Sequence, residues 1–319
     1  MLTAAGLVKS YGQVRALNGF DLHVDAGEIT GLIGHNGAGK TTFVEVVTRL
    51  IKPDAGELTI CSTDALRGRR PARELVGVCP QEIALYRSAT VRDNLRLFGA
   101  LAGLRRAARH DAIRRLAAEL MLENLLDRPV GLISGGQQRR VQAASAMIGD
   151  PPLLLLDEPT AGADPQTRAA LLRSVRARAE AGAAVVYTTH YLPELTSLAA
   201  TLAVVRHGQV IARGEQACLL AGLPSTVRLR FGSGPVRLPP LLAERAVRDG
   251  EEWRLTSADP PADLAAMVSA GCSPTFVDVT RPELDDLFAA LGEPAAVPFP
   301  ISASAPAAAA VSQETPDVC

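Results

Sequence analysis

The stretch "GLIGHNGAGKTT" holds the first residues that could do chemistry, at the spacing G-x-x-x-x-G-K-[ST]. Gly34 and Gly39 let backbone amides turn toward a polyphosphate, and the following helix adds positive partial charge at its N-terminus. Lys40 can reach terminal phosphates, and the Thr41 hydroxyl can ligate Mg²⁺. A glycine turn with an incidental lysine is the alternative, but the position between a strand and a helix favours a nucleoside triphosphate site. The residues predicted to bind it are Gly34, His35, Asn36, Gly37, Ala38, Gly39, Lys40, Thr41 and Thr42.

The stretch "LLLLDEPT" supplies two adjacent carboxylates at the end of an apolar strand. Asp157 is suited to hold Mg²⁺ through water, and Glu158 is suited to polarise an attacking water. In isolation the pair could cap a helix, as the following Pro159 suggests. Phosphoryl transfer needs mainly positioning and charge neutralisation, which these carboxylates and the glycine-rich loop supply together. We therefore expect hydrolysis of the bound nucleotide.

The stretch "LISGGQQRRV" contains no group that obviously does chemistry, yet it places a hydroxyl and two glycines directly before a helical pattern. Ser134 can cap that helix through its side chain. A helix N-terminus can also receive an anion, with Gly135 and Gly136 leaving its backbone accessible. A helix cap therefore explains why a serine stands at this position. It does not say which anion or molecule the turn would contact.

Short apolar runs and helical patterns alternate along the first two-thirds of the chain, and they must position these residues. Fully apolar strands separated by helices predict a parallel sheet covered on both faces, and hence an α/β fold. The predicted strands are "GEITGLIG", "ELVGVCPQ", "PPLLLLD" and "AAVVYTTH", and the predicted helices include "KTTFVEVVTRL" and "QTRAALLRSVRARAEAG".

Strand signals stop between about residues 91 and 150, where the pattern indicates a helical insert. The arginines around 105–115 suit either nucleic acid or a solvated helix face, and the balanced charge favours the solvated face. A nucleotide-binding domain is predicted over 1–218 and a small α/β domain over 224–293. The latter ends in a helix with a capping box of Thr280 and Glu283. The Pro/Ala/Ser-rich residues 294–319 predict a disordered tail.

Composition excludes several classes of protein. The 319 residues carry 33 basic and 34 acidic side chains, a formal net charge of -1, so no nucleic-acid partner is expected. Five cysteines without CxxC pairing indicate ordinary thiols in a reducing compartment rather than disulfides or zinc. The start of the sequence does not resemble a signal peptide, and no apolar run approaches the ~20 residues that span a bilayer.

Several motifs occur in a fixed order: the phosphate loop, "GVCPQE", "ISGGQQ", "LLLLDEPT", "AGADP" and "TTH". Over about residues 2–215 this series resembles the ATPase subunit of ABC transporters. The resemblance implies a P-loop NTPase core with an antiparallel β subdomain and a helical insert, and the cofactors ATP and Mg²⁺. The chain departs from the usual pattern at Ile133 and Ala163, where leucine is common.

The resemblance also implies roles for single residues. Tyr11 would stack on the adenine ring, although strand packing is its alternative. Gln81 would ligate Mg²⁺ or the attacking water, joining Thr41 and Asp157 as metal ligands, although a surface amide is its alternative. Glu158 would be the general base. His190 would contact the γ-phosphate, although it could be an ordinary histidine at a strand end.

The same resemblance gives the serine turn a partner. Two ABC cassettes dock head to tail, so the turn of one copy would contact the γ-phosphate held by Lys40 of the other. Asp164 would lie in a loop that communicates across this dimer. The residues of the turn implied to bind nucleotide are Ser134, Gly135, Gly136 and Gln137.

The stretch "PQEIALYRSATVRDNLRLFGAL" and the terminal "PELDDLFAALG" look like ATPases of daunorubicin-resistance exporters. Such subunits pair with a second copy and a separate multi-span permease, at the inner face of the cell membrane. The cargo implied is a drug, an antibiotic, a lipid or a similar small amphipathic molecule.

A soluble ABC-type ATPase acting on ribosomes or DNA is the alternative. Such proteins usually carry two cassettes or zinc-binding and coiled-coil insertions, and this sequence repeats neither the phosphate loop nor "SGGQ". A regulator that no longer hydrolyses nucleotide is a third class, against which Glu158 and His190 both argue.

Overall fold

The computed structural model describes residues 1–67, 75–232, 236–282, 286–287 and 290. The described strands form three sheets, of which two belong to the part of the chain that carries the motifs. In chain order, the strands are β1 (Leu2–Tyr11), β2 (Val14–Val24), β3 (Ile29–Ile33), β4 (Ala55–Ile60), β5 (Thr63–Asp64), β6 (Val76–Cys79), β7 (Leu153–Asp157), β8 (Ala184–Thr188), β9 (Thr201–Arg206), β10 (Gln209–Glu215), β11 (Ser225–Arg230), β12 (Ala246–Asp249), β13 (Glu252–Ser257) and β14 (Phe276–Thr280).

The helices vary from single turns to sixteen residues. In chain order they are α1 (Lys40–Val47), α2 (Val91–Leu101), α3 (Arg106–Glu119), α4 (Gly135–Met147), α5 (Pro165–Glu180), α6 (Pro193–Leu198), α7 (Gln216–Leu220), α8 (Pro240–Ala243) and α9 (Pro260–Ser269). Among the described residues, none of these helices has the length and hydropathy needed to cross a membrane.

The central sheet has the strand order β10-β9-β3-β8-β7-β6. Each neighbouring pair from β9 to β6 is parallel, and β10 pairs antiparallel with β9. Every residue of β3, β7 and β8 is buried. Burial on both faces explains why these strands are continuous apolar runs without alternation, and it confirms the predicted parallel sheet.

A second, antiparallel sheet has the order β2-β1-β4-β5. It shares one hydrophobic cluster with α1 and the central sheet. Within this cluster the ring of Phe20 on β2 stacks on Phe43 of α1, with centroids 4.6 Å apart. This contact fixes the antiparallel sheet against the first turns of α1, next to the phosphate loop.

The helical insert consists of α2, α3 and α4, joined by short 3₁₀ turns at Glu123–Leu125 and Val130–Leu132. Thr90 caps α2 by accepting a hydrogen bond from the Asp93 amide. The arginine-rich helix α3 buries only one stripe, which includes Ile113 and Leu116. The insert is therefore helical as predicted, and the arginines lie mainly on its solvated side.

Beyond α7, the third sheet has the order β12-β13-β11-β14 and is entirely antiparallel. Its core includes Val227, Leu229, Leu255 and, from α9, Met267. The domain boundaries at 218 and 224 stay predictions. The predicted terminal helix and tail fall largely outside the described residues; of that helix, Leu287 is described and fully buried.

Candidate functional site

The parallel strands bring distant motifs to one edge of the central sheet. β3, β6, β7 and β8 run in the same direction, so their carboxyl ends lie on the same side. The phosphate loop follows β3, Gln81 follows β6, and His190 follows β8. Open parallel sheets bind ligands at this edge. The motifs separated by more than a hundred residues in sequence therefore share one side of the fold.

The phosphate loop requires glycine at two buried positions. A Cβ on Gly34 would lie 2.3 Å from the carbonyl oxygen of Val205 on β9. Gly39 has φ of 110°, and a Cβ there would lie 2.4 Å from the carbonyl oxygen of Ala16 on β2. Gly39 is also the N-cap of α1. The loop is thus pressed against its neighbours, and the first amides of α1, which have no intrahelical partner, are available to an anion.

The Lys40 side chain folds over this loop. Its Nζ donates hydrogen bonds to the carbonyl oxygens of Gly34, at 2.5 Å, and His35, at 3.1 Å. Burial lowers the pKa of Lys40, whereas the nearby carboxylates of Asp157 and Glu158 act to raise it. The ammonium therefore lies between the glycine-rich loop and the acidic pair, where a phosphate group would need a cation.

The other predicted residues of the loop divide by exposure. Ala38 is buried and held by a hydrogen bond between its carbonyl and the Gly208 amide, at 2.9 Å. Thr42 is half-buried. The exposed residues are His35, Asn36, Gly37 and Thr41.

Tyr11 ends β1 in the antiparallel sheet, and its side chain is half exposed. The Lys9 ammonium lies 5.8 Å from the centroid of its ring. An exposed aromatic ring at a strand end is not a packing residue of the core, which argues against ordinary strand packing as its role. Stacking on adenine stays a prediction.

Asp157 and Glu158 have different surroundings. Asp157 is buried at the end of β7 and accepts a hydrogen bond from the Thr188 hydroxyl. The Glu158 amide donates to the Thr188 carbonyl at 3.1 Å. Glu158 has φ of 47°, in the left-handed region that a residue with a side chain rarely adopts. This turn directs the chain away from the strand immediately after Asp157.

The Glu158 carboxylate meets the histidine of the "TTH" motif. His190 Nε2 lies 2.7 Å from Glu158 Oε1, and the histidine side chain is 60% exposed while that of the glutamate is 20% exposed. A carboxylate held by an imidazole and partly open to solvent is suited to accept a proton from water. The alternative of a histidine satisfied by a backbone carbonyl does not describe this contact.

The predicted magnesium ligands differ in exposure. Asp157 is buried, whereas Thr41 and Gln81 are exposed. A hydroxyl, an amide oxygen and a carboxylate form a set of oxygen donors, which suits Mg²⁺ when phosphates and waters complete its shell. Among the residues that the structure describes, no cluster of three or more His, Cys, Asp or Glu could hold a metal by itself.

The serine turn caps α4 as the sequence suggests. The Ser134 hydroxyl accepts from the Gln137 amide at 3.3 Å, and the Gln137 side chain accepts from the Ser134 amide at 3.0 Å. Ser134 and Gly135 are exposed. Within the described part of the chain, no hydrogen bond or ion pair joins this turn to Lys40 or Glu158. The turn is locally complete and makes no such bond to the lysine or the glutamate at the sheet edge.

The loop before α5 packs against this turn. A Cβ on Gly136 would lie 2.7 Å from the carbonyl oxygen of Gly162. Asp164 caps α5 by accepting from the Thr167 amide, at 2.9 Å, and from the Thr167 hydroxyl, at 2.6 Å. These bonds lower the pKa of Asp164. Its side chain is therefore committed to the helix cap, and its role in communication across a dimer stays a prediction.

Glu194 belongs to none of the predicted motifs, yet it lies on α6 and is only 1% exposed. Its carboxylate accepts hydrogen bonds from three hydroxyls, those of Thr160, Tyr187 and Thr189, at 2.7 to 2.9 Å. Arg168 Nε lies 3.1 Å from Glu194 Oε1. Burial, together with the charge of Glu194, raises the pKa of Tyr187 well above its usual value.

This buried carboxylate connects three segments of the site. Thr160 follows the acidic pair and Thr189 precedes His190, while Arg168 also lies 4.7 Å from the centroid of the Tyr191 ring. A signal was available in the sequence, since Glu194 is an isolated acid in an apolar helical pattern. Its partners, however, come from strands and helices that only the tertiary structure brings together.

Comparison with known proteins agrees with this geometry. The family model described as ABC transporter matches residues 17–161. A daunorubicin resistance ATP-binding protein of Streptomyces coeruleorubidus is 37% identical over 314 residues, covering 89% of this chain and 92% of that protein. The Nod factor export ATP-binding protein I of Burkholderia lata is 40% identical over 212 residues, covering 66% of this chain and 70% of that protein.

Solved structures show the same fold. The structure of an ATP-binding subunit of an ABC transporter matches with a TM-score of 0.65 at 29% identity, covering 69% of this chain and 91% of that one. A dimeric ATP-binding cassette bound to ADP and Pi matches with a TM-score of 0.62 at 24% identity, covering 67% and 98%. With relatives this similar over most of their length, the chain belongs to the ABC transporter family, as an ATP-binding ATPase subunit of the drug-exporter type.

Proposed function

We propose that this chain powers export by binding and hydrolysing ATP as a head-to-tail dimer, at the inner face of the membrane, through a separate multi-span permease. The observation that carries the proposal is the convergence of Lys40, Asp157, Glu158 and His190 at one sheet edge, while the Ser134 turn stays exposed elsewhere. One subunit thus supplies two different halves of a site.

The first half binds and hydrolyses the nucleotide. The loop from Gly34 to Thr42 holds the phosphates, and Lys40 exchanges its bonds to loop carbonyls for bonds to phosphate oxygens. Glu158 accepts the proton of the attacking water, which leaves the carboxylate as a carboxylic acid until product release. His190 holds the Glu158 side chain and lies toward the terminal phosphate. Tyr11 stacks on the adenine ring.

Mg²⁺ fits the oxygen donors on this side of the sheet. Thr41 and Gln81 would ligate the ion directly, and Asp157 would hold it through water while bonded to Thr188. When bound, the ion neutralises charge on the phosphates. The chain itself provides the fixed position of Asp157, since its carboxylate is buried and oriented by a hydrogen bond.

The second half acts on another copy of the chain. Ser134, Gly135, Gly136 and Gln137 present a hydroxyl and the N-terminus of α4, which favours an anion. Head-to-tail docking would bring this turn to the terminal phosphate held by the partner copy. The loop with Asp164 rests on the same turn, so it would change position when the two copies close.

The cargo and the permease are inferred from relatives. The similar proteins are named for daunorubicin resistance and for Nod factor export. An amphipathic drug, antibiotic or lipid-like molecule is therefore the proposed class of cargo. The residues around "EIALYRSATVRDNL", at positions 82–95, would face the permease.

The decisive experiment is Ser134→Arg in the full chain. We expect binding of ATP to the monomer to be unchanged, within about twofold, because the turn does not contact the loop of its own subunit. Hydrolysis should fall at least ~100-fold, since the oriented donors at the terminal phosphate are lost. Fluorescent-nucleotide binding, gel filtration and phosphate release measure the three quantities. Hydrolysis at the wild-type rate would refute the head-to-tail site.

Purification from membranes tests the transport role. We expect a multi-span protein to be recovered with the tagged chain. Recovery of ribosomes or DNA instead would favour the alternative of a soluble ABC-type ATPase.

A further inference from the structure

The side chain of Gln142 connects α4 to the segment that contains Gln81. Gln142 lies in the middle of α4 and is 2% exposed. Its Oε1 accepts from the Ala84 amide at 2.9 Å. Its Nε2 donates to the carbonyl oxygens of Pro80, at 2.5 Å, and Glu82, at 3.0 Å. Three backbone groups of residues 80–84 are thus satisfied by one buried amide.

A second side chain of the same helix strengthens this connection. Arg139 Nη1 donates to the Pro80 carbonyl at 3.1 Å. The residues on both sides of Gln81 are therefore bonded through their carbonyls to α4, while the Gln81 side chain is exposed. The position of Gln81 follows that of α4, because its neighbours cannot move away from the helix without losing buried hydrogen bonds.

The helix itself links this contact to the serine turn. Ser134 is the N-cap of α4, and Gln142 lies eight residues further on, about 12 Å along the axis at 1.5 Å per residue. An α-helix of this length moves as one body. A displacement of the Ser134 turn is therefore transmitted to the backbone around Gln81.

We propose that Gln142 is a positioning residue that couples the two halves of the nucleotide site within one subunit. When the Ser134 turn engages the nucleotide of the partner copy, α4 moves, and Gln142 carries residues 80–84 with it. Gln81 then reaches the ion and water at the nucleotide of its own subunit. This inference rests on the proposed head-to-tail function and adds the residue that makes the two sites of a dimer act together.

The test is Gln142→Met in the full chain, with Ser145→Ala as the matched control. Methionine keeps the size and the apolar packing but makes none of the three hydrogen bonds. Ser145 is buried on the same helix and bonds only within it, to the Val141 carbonyl at 2.9 Å. The readouts are hydrogen exchange of the Ala84 amide without nucleotide and the dependence of hydrolysis on ATP concentration.

We expect the Ala84 amide to exchange about tenfold faster in Gln142→Met, which corresponds to the loss of one hydrogen bond. The maximal rate should fall by about tenfold or more, because misplacement of a site residue by an ångström has effects of this size. Half-saturating ATP should change less than about threefold, and the Hill coefficient should fall from above one toward one. Ser145→Ala should match the wild type in all four quantities.

Gln142→Glu serves if the methionine variant does not fold. It keeps the acceptor for the Ala84 amide but loses the donors to Pro80 and Glu82, so cooperativity should again fall. Wild-type cooperativity in a folded variant would overturn the proposal, and so would wild-type Ala84 exchange in Gln142→Met. Loss of folding in both variants would also overturn it, since the side chain would then serve stability alone. Wild-type hydrolysis in Ser134→Arg would instead refute the head-to-tail function, while the exchange result would still report on the Gln142 contact.

Discussion

The carboxyl edge of the central sheet and the serine turn are built on opposite principles. At the sheet edge the functional side chains contact each other: Glu158 meets His190, and Asp157 meets Thr188. At the turn, the bonds that the structure describes for Ser134 go to Gln137 and Gln138 of its own helix. One region is a set of side chains that already contact each other, whereas the other is an exposed turn that, in the proposed function, acts on a second copy.

Under the proposed function, this difference keeps hydrolysis under control. In the proposed function, the sheet edge holds the general base and the lysine in every monomer, whereas the donors for the terminal phosphate belong to the turn of the other copy. Catalysis through oriented donors requires that they are in place before the reaction. The proposed head-to-tail site therefore predicts that hydrolysis starts only when two copies meet.

Among substitutions at the sheet edge, Glu158→Gln is expected to have the largest effect on hydrolysis. We expect the rate of hydrolysis to fall about 10²–10⁴-fold, because the proton acceptor is lost. ATP binding should persist, and an ATP-bound dimer should accumulate in gel filtration. The control is Glu180→Gln, on an exposed position at the end of α5. Turnover at the wild-type rate would show that Glu158 is not the base.

A smaller effect is expected when the buried carboxylate of Glu194, which bonds to three hydroxyls near the sheet edge, is replaced. Glu194→Gln removes the negative charge opposite Arg168. It also leaves part of the hydroxyl network around residue 194 without an acceptor. We expect the free energy of unfolding to fall by about 1–3 kcal/mol, the range for a disrupted buried hydrogen-bonding group. Urea unfolding measures it, and Glu180→Gln should change it by less than about 0.5 kcal/mol. An unchanged midpoint would mean that the network does not hold the edge together.

The two glycines of the turn give the finest comparison. Gly136→Ala places a methyl group 2.7 Å from the Gly162 carbonyl, so the loop before α5 must shift. We expect a loss of about 1–3 kcal/mol in the free energy of unfolding, as in other overpacked sites. At Gly135 nothing lies within 4 Å of the added methyl group. Gly135→Ala should therefore keep or slightly raise stability, since alanine favours a helix by about 0.5–1 kcal/mol.

Measuring the rate of hydrolysis as well as stability separates two possible roles of Gly135 and Gly136. If the turn receives the nucleotide of a second copy, Gly135→Ala should slow hydrolysis even though the monomer is stable. Phosphate release and thermal unfolding, measured side by side, separate the two effects. Equal stability of the two variants would contradict the packing of the turn against the loop at Gly162.

Much of the fold followed from local patterns. The apolar runs that became β3, β7 and β8 are buried on both faces, so they carry no alternation and are easy to recognise as parallel strands. The spacing around Lys40 likewise reports a loop between a strand and a helix. Such features depend on residues that are neighbours in sequence, and the structure agrees with them.

Glu194 and Gln142 could not be predicted in this way. Glu194 takes its partners from β8, α5 and the segment after β7, and Gln142 satisfies backbone groups nearly sixty residues earlier in the chain. A buried polar side chain is functional only through what surrounds it, and those surroundings are assembled from distant segments. Their type and spacing carry no comparable signal.

The sequence by itself determined the chemistry: a lysine in a glycine-rich loop, an Asp-Glu pair at a strand end, and a histidine after another strand. The tertiary structure decided the geometry. Parallel strand order places those residues at one edge, and the chain path leaves the Ser134 turn exposed on a helix, α4, that is bonded to the residues flanking Gln81. The physical reason is that residue types set which interactions are possible, whereas distances between segments far apart in sequence depend on how the whole chain packs.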